Sequence, residues 1–316
     1  MAKQEMKQAS PEVAKIICDL ISCKPEDIKD WEPIKTGATN SSYKFTVKGT
    51  KYLYRDPGEK TEVYLNRAAE YFAQKVAKEI GLDETFIDMD PKTGWKLSYY
   101  IEDYEYLDPY KPEDQKIMMS MLKKLHDKAV VSDFEFNFVK QIDIYLGFMD
   151  ELGMRPEEYT EILEMRGIRG VAYDDLIKIV NELKELEKKA DAEGYQKVLC
   201  HNDTWIWNFL RAPDGKVTLI DWEYCGNNYP AADIADYCIT LEFTAESYIK
   251  LAELYEEHPL NDREYRFYMA NMVLCAWHWV IWGIWKEATG WEMGDDLKKW
   301  HDKAMMSLEI CRDKYE

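Results

Sequence analysis

The spacing of apolar side chains changes, within the first third of the chain, from a period of two to the period of a helix. Residues 34–54 alternate apolar and polar positions, are rich in β-branched and aromatic side chains, and contain the turn segment VKGTKY between two candidate strands. Residues 59–81 show helical spacing, with Gly81 placed where a helix would end. Residues 94–107 are typical of a hairpin arm that leads into an acidic connection. The pattern therefore predicts an N-terminal antiparallel sheet with one main helix.

From Pro112 onward the pattern is mainly helical, with EDQKIMMSMLKKLHDKA and YDDLIKIVNELKELEKKADAE as clear examples. Two short apolar runs in this part, Val198–Cys200 and 217–220, are predicted as strands on either side of the turn signal RAPDGK. The sequence therefore predicts an α+β fold with two lobes. Residues 1–104 form the β-rich lobe, and residues 105–316 form a mostly helical lobe with a small β-hairpin.

The net charge limits the partners that the chain is expected to bind. Sixty acidic residues against 41 basic ones give a formal charge of −19, whereas nucleic acid and anionic membranes bind positive surfaces. A small cation is a more natural ligand, although a negative surface also serves solubility alone. We expect a small-molecule substrate, no nucleic-acid partner and no membrane insertion, and the sequence leaves the oligomeric state open.

Cysteine usage and the N-terminal segment indicate a cytoplasmic protein. The seven cysteines are scattered and include no CxxC pair, so we expect reduced, mostly buried thiols. The segment MAKQEMKQAS has no apolar core of the kind found in secretion signals. The most apolar segment, residues 269–285, is shorter than the ~20 residues that span a bilayer. It also contains Asn271 and His278, so we expect a buried helix in a soluble core.

The segments HNDTWIWNFL and LIDWEY contain the residues with the clearest chemistry. Asp203 and Asn208 stand five residues apart in a loop, and Asp221 follows the next strand. We expect the loop, the turn and the strand end to bring these side chains together. One carboxylate can orient a hydroxyl and accept its proton, while an amide and a second carboxylate supply hard oxygen ligands for Mg²⁺ on phosphates. The set indicates phosphoryl transfer, although any one of these residues alone is more typical of a turn or a cap.

These two segments resemble the H-x-D-x-x-x-x-N loop and the metal-binding aspartate of the choline/ethanolamine kinases, within the aminoglycoside phosphotransferase and protein-kinase-like superfamily. The forms HND, DWEY and NNYPAADIADY are most similar to that family, in particular to its bacterial choline kinases. The resemblance implies a protein-kinase-like fold and a role for each matching residue. These are a catalytic base, Asp203, magnesium ligands, Asn208 and Asp221, an acidic residue close to the metal, Glu223, and supports of the loop, His201 and Asp233.

The segment KTGATNSSYKF, residues 35–45, is a turn rich in small and hydroxyl side chains between two predicted strands. Its backbone N–H groups can cradle phosphate oxygens. No GxGxxG fingerprint is present, which argues against a dinucleotide site and against the glycine loop of protein kinases. The single-glycine turn resembles that of the choline kinases. The nucleotide-binding candidates in this turn are Gly37, Asn40, Ser41 and Ser42.

Arg55 and Glu70 are the expected charged residues of the nucleotide site. Arg55 stands at the end of the next predicted strand, where the choline kinases resemble this chain in having arginine. Its guanidinium suits two phosphate oxygens at once and keeps its charge, so it needs only an orienting carboxylate. The resemblance implies that Glu70, on the first helix, is that partner. The plainer alternative makes both residues solvated surface charges.

Tryptophans near the C-terminus are the candidate acceptor-binding residues. A quaternary ammonium has no N–H to donate, so it is recognised by aromatic faces and nearby negative charge. Trp282 and Trp285 lie three residues apart on one face of a predicted helix, and this spacing resembles the choline-pocket helix of the family. The resemblance also implies Tyr224 and, as acidic companion, Glu242. Tryptophans at helical spacing are ordinarily core residues, and the two preceding tryptophans of this segment are assigned to the core.

The resemblance implies an ATP- and magnesium-dependent choline kinase that transfers the γ-phosphoryl group to the hydroxyl of choline. Ethanolamine, an aminoglycoside or another small amino alcohol stays open as the acceptor, although a primary ammonium would favour carboxylates over tryptophans. A catalytically inactive nucleotide-binding scaffold of the same fold is an alternative from a different class. A hydrolase is poorly supported, since the chain contains no GxSxG elbow and no HExxH segment.

Overall fold

Strands and helices are distributed along the chain as the apolar pattern predicts, with strands concentrated before residue 107 and helices after it. The computed structural model describes residues 8–34, 40–58, 61–239, 241 and 243–315. The strands within them are β1 (Ile28–Ile34), β2 (Ser41–Val47), β3 (Thr50–Asp56), β4 (Phe86–Met89), β5 (Lys96–Tyr99), β6 (Glu105–Tyr106), β7 (Val198–Cys200), β8 (Phe209–Arg211), β9 (Val217–Leu219) and β10 (Gly226–Asn228). The helices are α1 (Pro11–Ile21), α2 (Arg67–Glu79), α3 (Pro112–His126), α4 (Phe138–Glu151), α5 (Pro156–Met165), α6 (Tyr173–Ala192), α7 (Pro230–Ile239), α8 (Ala245–Glu256), α9 (Asp262–Ala288) and α10 (Asp296–Tyr315).

The chain divides into two compact units, each built from two segments. The first unit comprises Met1–Leu107 and Trp207–Cys225, and the second comprises Asp108–Ile206 and Gly226–Glu316. The predicted boundary after residue 104 lies close to the end of the first segment. The short segment that holds β8 and β9 was predicted in the helical lobe, whereas it groups with the first unit.

A five-stranded antiparallel sheet with the order β1-β2-β3-β5-β4 forms the centre of the first unit. The predicted turn over VKGTKY is present, with Val47 opposite Thr50 and a positive φ of 85° at Gly49, a conformation that glycine adopts without steric cost. Aromatic side chains such as Phe45 are buried on one face, where Ile17 of α1 packs against them. Burial of this face sets the register of the strands and thereby the position of the end of β3.

Helix α2 begins later than the helical spacing of residues 59–81 suggests. The side chain of Asn66 accepts two backbone N–H groups, each at 3.1 Å, and so caps the first turn. The helix therefore starts at Arg67, and Gly81 takes a positive φ of 67° just beyond its end. This start places Arg67 and Glu70 one turn apart, and both side chains are buried.

The strands around RAPDGK do not pair as expected from the sequence. β8 pairs with β9, with Phe209 opposite Leu219, and β6 adds to the free edge of β8. β7, which was expected to be the first arm of this hairpin, pairs instead with β10, with Cys200 opposite Gly226. Each of these strands has only three residues. Such a short apolar run predicts a strand but does not specify its partner, so the expected pairing was wrong.

Helix α9 forms the core of the second unit and packs against α4, α7 and α10. It has 27 residues, so it extends well beyond the apolar segment 269–285. By length and composition the helix could cross a membrane, but its apolar window is fully buried inside the protein. Burial on all sides explains why this stretch shows no polar face. The prediction of a buried core helix is confirmed.

Candidate active site

The loop after β7 is held by one buried carboxylate, that of Asp233 on α7. The backbone N–H of His201 donates to Oδ2 of Asp233 at 2.9 Å, and the backbone N–H of Asn202 donates to Oδ1 at 2.7 Å. Asp233 lies in the first turn of α7, directly after the strand that pairs with β7. Asn202 takes a positive φ of 61°, which asparagine tolerates better than most residues. The structure thus joins His201 and Asp233, the two residues predicted to support this loop.

His126, which no sequence pattern marked, completes the surroundings of Asp233. Its Nε2 lies 2.9 Å from Oδ2 of Asp233, and its Nδ1 lies 2.9 Å from the hydroxyl of Tyr255. Burial raises the pKa of Asp233, but the hydrogen bond and charge of His126, with the charge of His201, hold that pKa below its ordinary value. Asp233 therefore remains an ionised acceptor for the loop. His126 ends an ordinary amphipathic helix, so nothing local in the sequence reveals it.

Asp203, the predicted catalytic base, follows this anchored backbone and is half-buried. Its backbone N–H donates to Nδ1 of His201 at 3.2 Å. On the other side, the backbone N–H of Thr204 donates to Oδ2 of Asp236 on α7. The chain on both sides of Asp203 is therefore fixed to α7 or to the loop itself, which limits the positions that its carboxylate can take.

The β8–β9 hairpin of the first unit brings the backbones at Asn208 and Asp221 close together. Asn208 directly precedes β8, and Asp221 is the second residue after β9. The N–H of Ile220 donates to the carbonyl oxygen of Asn208 at 2.9 Å. Asp221 is half-buried and takes a positive φ of 66°. Asn208 and Asp221 therefore stand at the same end of the hairpin, while Asp203 belongs to the second unit.

Arg55 and Glu70 form a buried, two-pronged ion pair. The guanidinium donates from Nη1 and Nη2 to the two carboxylate oxygens at 2.6 and 2.9 Å, and Nη2 also donates to the carbonyl oxygen of Gly94 at 3.1 Å. Nη1 lies 3.9 Å from Oδ1 of Asp221. Burial alone would raise the pKa of Glu70, but Arg55, Lys96 and Arg67 hold it well below its ordinary value. The expected pairing of Arg55 with Glu70 is thus present, and its contact with phosphate stays a prediction.

Arg67 is a second buried cation of this cluster, and the sequence motifs did not predict it. Its Nη1 donates to Glu70 at 2.8 Å and to Glu223 at 3.2 Å, and its Nη2 donates to the hydroxyl of Thr61 at 2.9 Å. Gly94 passes so close that a Cβ there would lie 2.9 Å from Nε of Arg67, and its φ of 84° is one that glycine accepts. The spacing of Arg67 three residues before Glu70 was the available signal, since such residues share a helix face.

Glu223, predicted to lie close to a metal, is buried and bonded by two donors. The side-chain amide of Asn40 donates to its Oε2 at 2.8 Å, and Arg67 donates to the same oxygen. Burial and the charge of Asp221 raise the pKa of Glu223, while Arg55 and Arg67 lower it less strongly. A further positive charge beside Asp221 and Glu223 would relieve their repulsion. The carboxylate oxygens of Asp221 and Glu223, together with the side-chain amide oxygen of Asn208, are of the kind that a hard divalent cation prefers.

The other residues of the predicted phosphate turn have different outcomes. Asn40 also accepts the backbone N–H of Gly58 at 3.3 Å, so it ties the turn to the segment after β3. Ser41 and Ser42 begin β2, with Ser42 opposite Arg55 in the sheet. Gly37 lies outside the described residues. The pairing of β2 with β3 therefore brings the described part of the turn to the strand end that holds the guanidinium.

Trp282 and Trp285 converge on one ammonium group in the second unit. Nζ of Lys286 lies 5.1 Å from the ring centroid of Trp282 and 4.7 Å from that of Trp285. The ring of Trp285 also stacks on Tyr145, with centroids 5.3 Å apart and an interplanar angle of 17°. These distances are those of cation–π contacts. The two tryptophans share a helix face as predicted, and the cation that contacts both rings is the side chain of Lys286.

The remaining acceptor candidates are spread over the chain. Tyr224 is buried in the first unit beside Glu223 in sequence, and Glu242 lies outside the described residues. Trp277 is fully buried, as a core assignment requires. Trp279 is also buried, but its indole N–H donates to Oδ1 of Asp236 at 2.5 Å. Asp236 is therefore a buried acidic residue next to the helix of the candidate acceptor tryptophans, and the sequence analysis did not predict it.

The sequence as a whole matches a known family. A family model described as choline/ethanolamine kinase matches residues 31–274, which is more than half of the chain. Protein LicA of Haemophilus influenzae is 27% identical over 282 residues, which cover 86% of this chain and 78% of that protein. The family model covers both the HND and the DWEY segments, so the resemblance predicted from them is confirmed.

Solved structures show the same fold. The crystal structure of choline kinase LicA from Streptococcus pneumoniae is similar with a TM-score of 0.72 and 24% identity, over 95% of this chain and 99% of that chain. A Plasmodium vivax ethanolamine kinase is similar with a TM-score of 0.70 and 18% identity, over 99% of this chain and 97% of that chain. At such identities the likeness concerns the fold, and the predicted α+β, protein-kinase-like class is confirmed.

Proposed function

Because this chain belongs to the choline/ethanolamine kinase family, we propose that it is a choline kinase, which transfers the γ-phosphoryl group of ATP to the hydroxyl of choline to give phosphocholine. The observation that carries the choice of acceptor is the convergence of Trp282 and Trp285 on the ammonium of Lys286. A trimethylammonium head offers no N–H and is bound through aromatic faces. The primary ammonium of ethanolamine would gain more from directed bonds to carboxylates.

Asp203 is the proposed catalytic base of this reaction. Its carboxylate accepts a hydrogen bond from the acceptor hydroxyl and takes the proton as the oxygen bonds to the γ-phosphorus, while the bond from that phosphorus to the β,γ-bridging oxygen breaks and ADP leaves. The backbone bonds of His201 and Thr204 support this role, since they hold the loop before the substrate arrives. A base fixed in this way reduces the loss of freedom on reaching the reactive geometry.

Arg55 is the proposed phosphate-binding cation. The Glu70 carboxylate holds two of its N–H groups, so the guanidinium has a fixed plane and a permanent charge. The phosphate turn, with Gly37, Asn40, Ser41 and Ser42 as its candidates, adds donors for phosphate oxygens.

Asn208, Asp221 and Glu223 are the proposed ligands of Mg²⁺. Their oxygens match the preference of this ion, and the raised pKa of Glu223 beside Asp221 supports a site that favours added positive charge. When bound, the ion supplies neutralisation of the charge on the phosphates. Asn40 and Arg67 orient Glu223 through bonds to its Oε2.

We place the reaction in the cytoplasm. The seven cysteines are all free thiols, and disulfides are rare in reducing compartments. The −19 charge supports a small cationic acceptor, and we propose no role for nucleic acid or for membrane insertion.

The test is an ADP-release assay with ATP and Mg²⁺ that compares choline, ethanolamine and aminoglycosides. We expect kcat/KM for choline to exceed the others by about tenfold or more, as aromatic recognition favours the quaternary head. In Asp203→Asn, kcat should fall by about 10²- to 10⁴-fold while ATP still binds in titration calorimetry. Asp214→Asn, in the exposed turn of the hairpin, is the matched control. Choline turnover at the no-acceptor background, or full activity of Asp203→Asn, would refute the proposal.

A further inference from the structure

Asp236 is a buried carboxylate that faces hydrogen-bond donors. It lies on α7 one turn after Asp233 and is 1% exposed. Its Oδ1 accepts the indole N–H of Trp279 at 2.5 Å, and its Oδ2 accepts the backbone N–H of Thr204. The hydroxyl of Thr204 lies 3.1 Å from Oδ2, and the thiol of Cys275 lies 3.8 Å from Oδ1. A carboxylate can satisfy donors on both oxygens, whereas an amide in the same place could do so on one only.

The two main donors belong to different parts of the proposed site. Thr204 directly follows Asp203 in the loop. Trp279 stands on α9 three residues before Trp282, and their rings touch edge to face, with centroids 5.3 Å apart and planes at 81°. Asp236 therefore connects the loop that holds the base with the helix that holds the acceptor tryptophans.

A cluster of four indoles surrounds this connection. Trp300 of α10 lies 6.0 Å from Trp279, 6.3 Å from Trp282 and 6.3 Å from Trp205 of the loop, measured between ring centroids. Among the residues that the structure describes, the buried Nε1 atoms of Trp205 and Trp282 have no hydrogen-bond partner. Those two rings are positioned by packing, whereas Trp279 is fixed in direction by its bond to Asp236.

We propose that Asp236 is a positioning residue for the acceptor. Its carboxylate holds Trp279, which in turn positions the ring of Trp282, and it fixes both relative to the loop that contains Asp203. This inference rests on the proposed choline kinase function. In its ionised form the same carboxylate puts negative charge beside the indole N–H of Trp279, which strengthens the attraction of that ring's face for a quaternary ammonium.

Trp279→Phe is the sharpest variant, because it keeps an aromatic ring and the bond from Thr204 to Asp236 but removes the indole N–H. Trp277→Phe is the matched control, since Trp277 is fully buried on the same helix and its Nε1 has no partner among the described residues. We expect KM for choline in Trp279→Phe to be about tenfold that of Trp277→Phe, which corresponds to about 1.4 kcal/mol. kcat and KM for ATP should agree within about twofold between the two variants.

Asp236→Asn adds an independent readout, the hydrogen exchange of the Thr204 amide measured by mass spectrometry. This amide should exchange faster in Asp236→Asn and at the wild-type rate in Trp279→Phe, because only the former loses the carboxylate that the amide bonds.

Equal choline KM values in the two phenylalanine variants would overturn the inference and leave wild-type choline turnover, and with it the proposed function, intact. Absence of choline turnover in the wild type would overturn both. If Asp236→Asn does not fold, the phenylalanine pair decides the question alone.

Discussion

In the first unit the carboxylate of Glu70 is buried in ion pairs, whereas in the second unit the carboxylates of Asp233 and Asp236 are buried among hydrogen-bond donors that are mostly neutral. Glu70 has Arg55 and Arg67 within 2.6 and 2.8 Å. Asp233, by contrast, accepts the backbone N–H groups of His201 and Asn202 at 2.9 and 2.7 Å, and Nε2 of His126 lies 2.9 Å from its Oδ2. The two arrangements solve the same problem, the high cost of burying an unpaired charge.

The difference follows from what each arrangement can do. A cluster of opposite charges keeps guanidinium and carboxylate groups in fixed positions and can exchange partners with a charged ligand such as phosphate or a metal ion. Backbone donors cannot move independently of the chain, so a carboxylate that binds them fixes the course of a loop. The cluster around Glu70 therefore holds charged groups in place, whereas Asp233 and Asp236 hold the backbone of the loop around Asp203.

Among the proposed variants, Glu70→Gln should lower the free energy of unfolding most. It leaves Arg55, Arg67 and Lys96 buried without their shared carboxylate, so we expect the free energy of unfolding to fall by about 3–5 kcal/mol. Glu79→Gln, on the exposed side of the same helix, should change it by less than about 0.5 kcal/mol. Urea unfolding of both variants measures the difference. Similar stabilities would show that the ion cluster does not hold the first unit together.

His126→Phe tests the positional network of the second unit. It removes the donor to Asp233, so we expect a loss of about 3 kcal/mol, the usual upper range for a bond to a buried charge. A fall in kcat should accompany it, because the loop backbone depends on Asp233. His278→Phe is the control, since His278 is equally buried and its ring nitrogens have no hydrogen-bond partner among the described residues. Thermal unfolding and steady-state kinetics of the pair decide; equal effects would refute the role of His126.

Asp236 and Glu70 should affect the pH dependence of stability in opposite directions. Burial raises the pKa of Asp236 to about 7, with Asp233 adding to the rise and the Trp279 and Thr204 bonds opposing it. The unfolded aspartate ionises near pH ~4, so between these values the folded state binds the extra proton and stability from this group falls as pH rises. The lowered pKa of Glu70 has the opposite effect, since its contribution is present above about pH 4.5 and is lost on acidification.

Asp236→Asn removes the first of these two effects. The free energy of unfolding of Asp236→Asn, relative to that of the wild type, should therefore increase by about 2 kcal/mol between pH 5 and pH 8. Urea unfolding at both pH values measures this difference. A difference that stays constant with pH would mean that Asp236 does not titrate in this range.

Lys286→Met should have the smallest effect. The ammonium of Lys286 lies over the rings proposed for choline, so removing its charge while keeping its stem should lower KM for choline by about threefold. KM for ATP should not change. Lys298→Met, at an exposed position of α10, is the control. A rise in KM for choline would place the acceptor away from these rings.

Much of the fold and part of the site could be predicted from local sequence. The alternation in residues 41–56 specifies a hairpin, and the strand–turn–strand spacing between Asn208 and Asp221 brings their backbones together whichever strand lies next to them. The pairing of Arg55 with Glu70 followed from the family resemblance. The contact of Arg67 with Glu70 could have been predicted from helix geometry, since Arg67 stands one helical turn before Glu70.

The sequence by itself determined the elements and the spacing of the motif, because side-chain periodicity, turn residues and caps act within a few residues of each other. Only the tertiary structure decided that β7 pairs with β10, that His126 meets Asp233 across 107 positions, and that Asp236 meets Trp279 across 43. Such partners are selected by which surfaces become buried together, and their pKa values depend on the water that burial removes and on the charges left beside them. Neither quantity is a property of a local stretch of sequence.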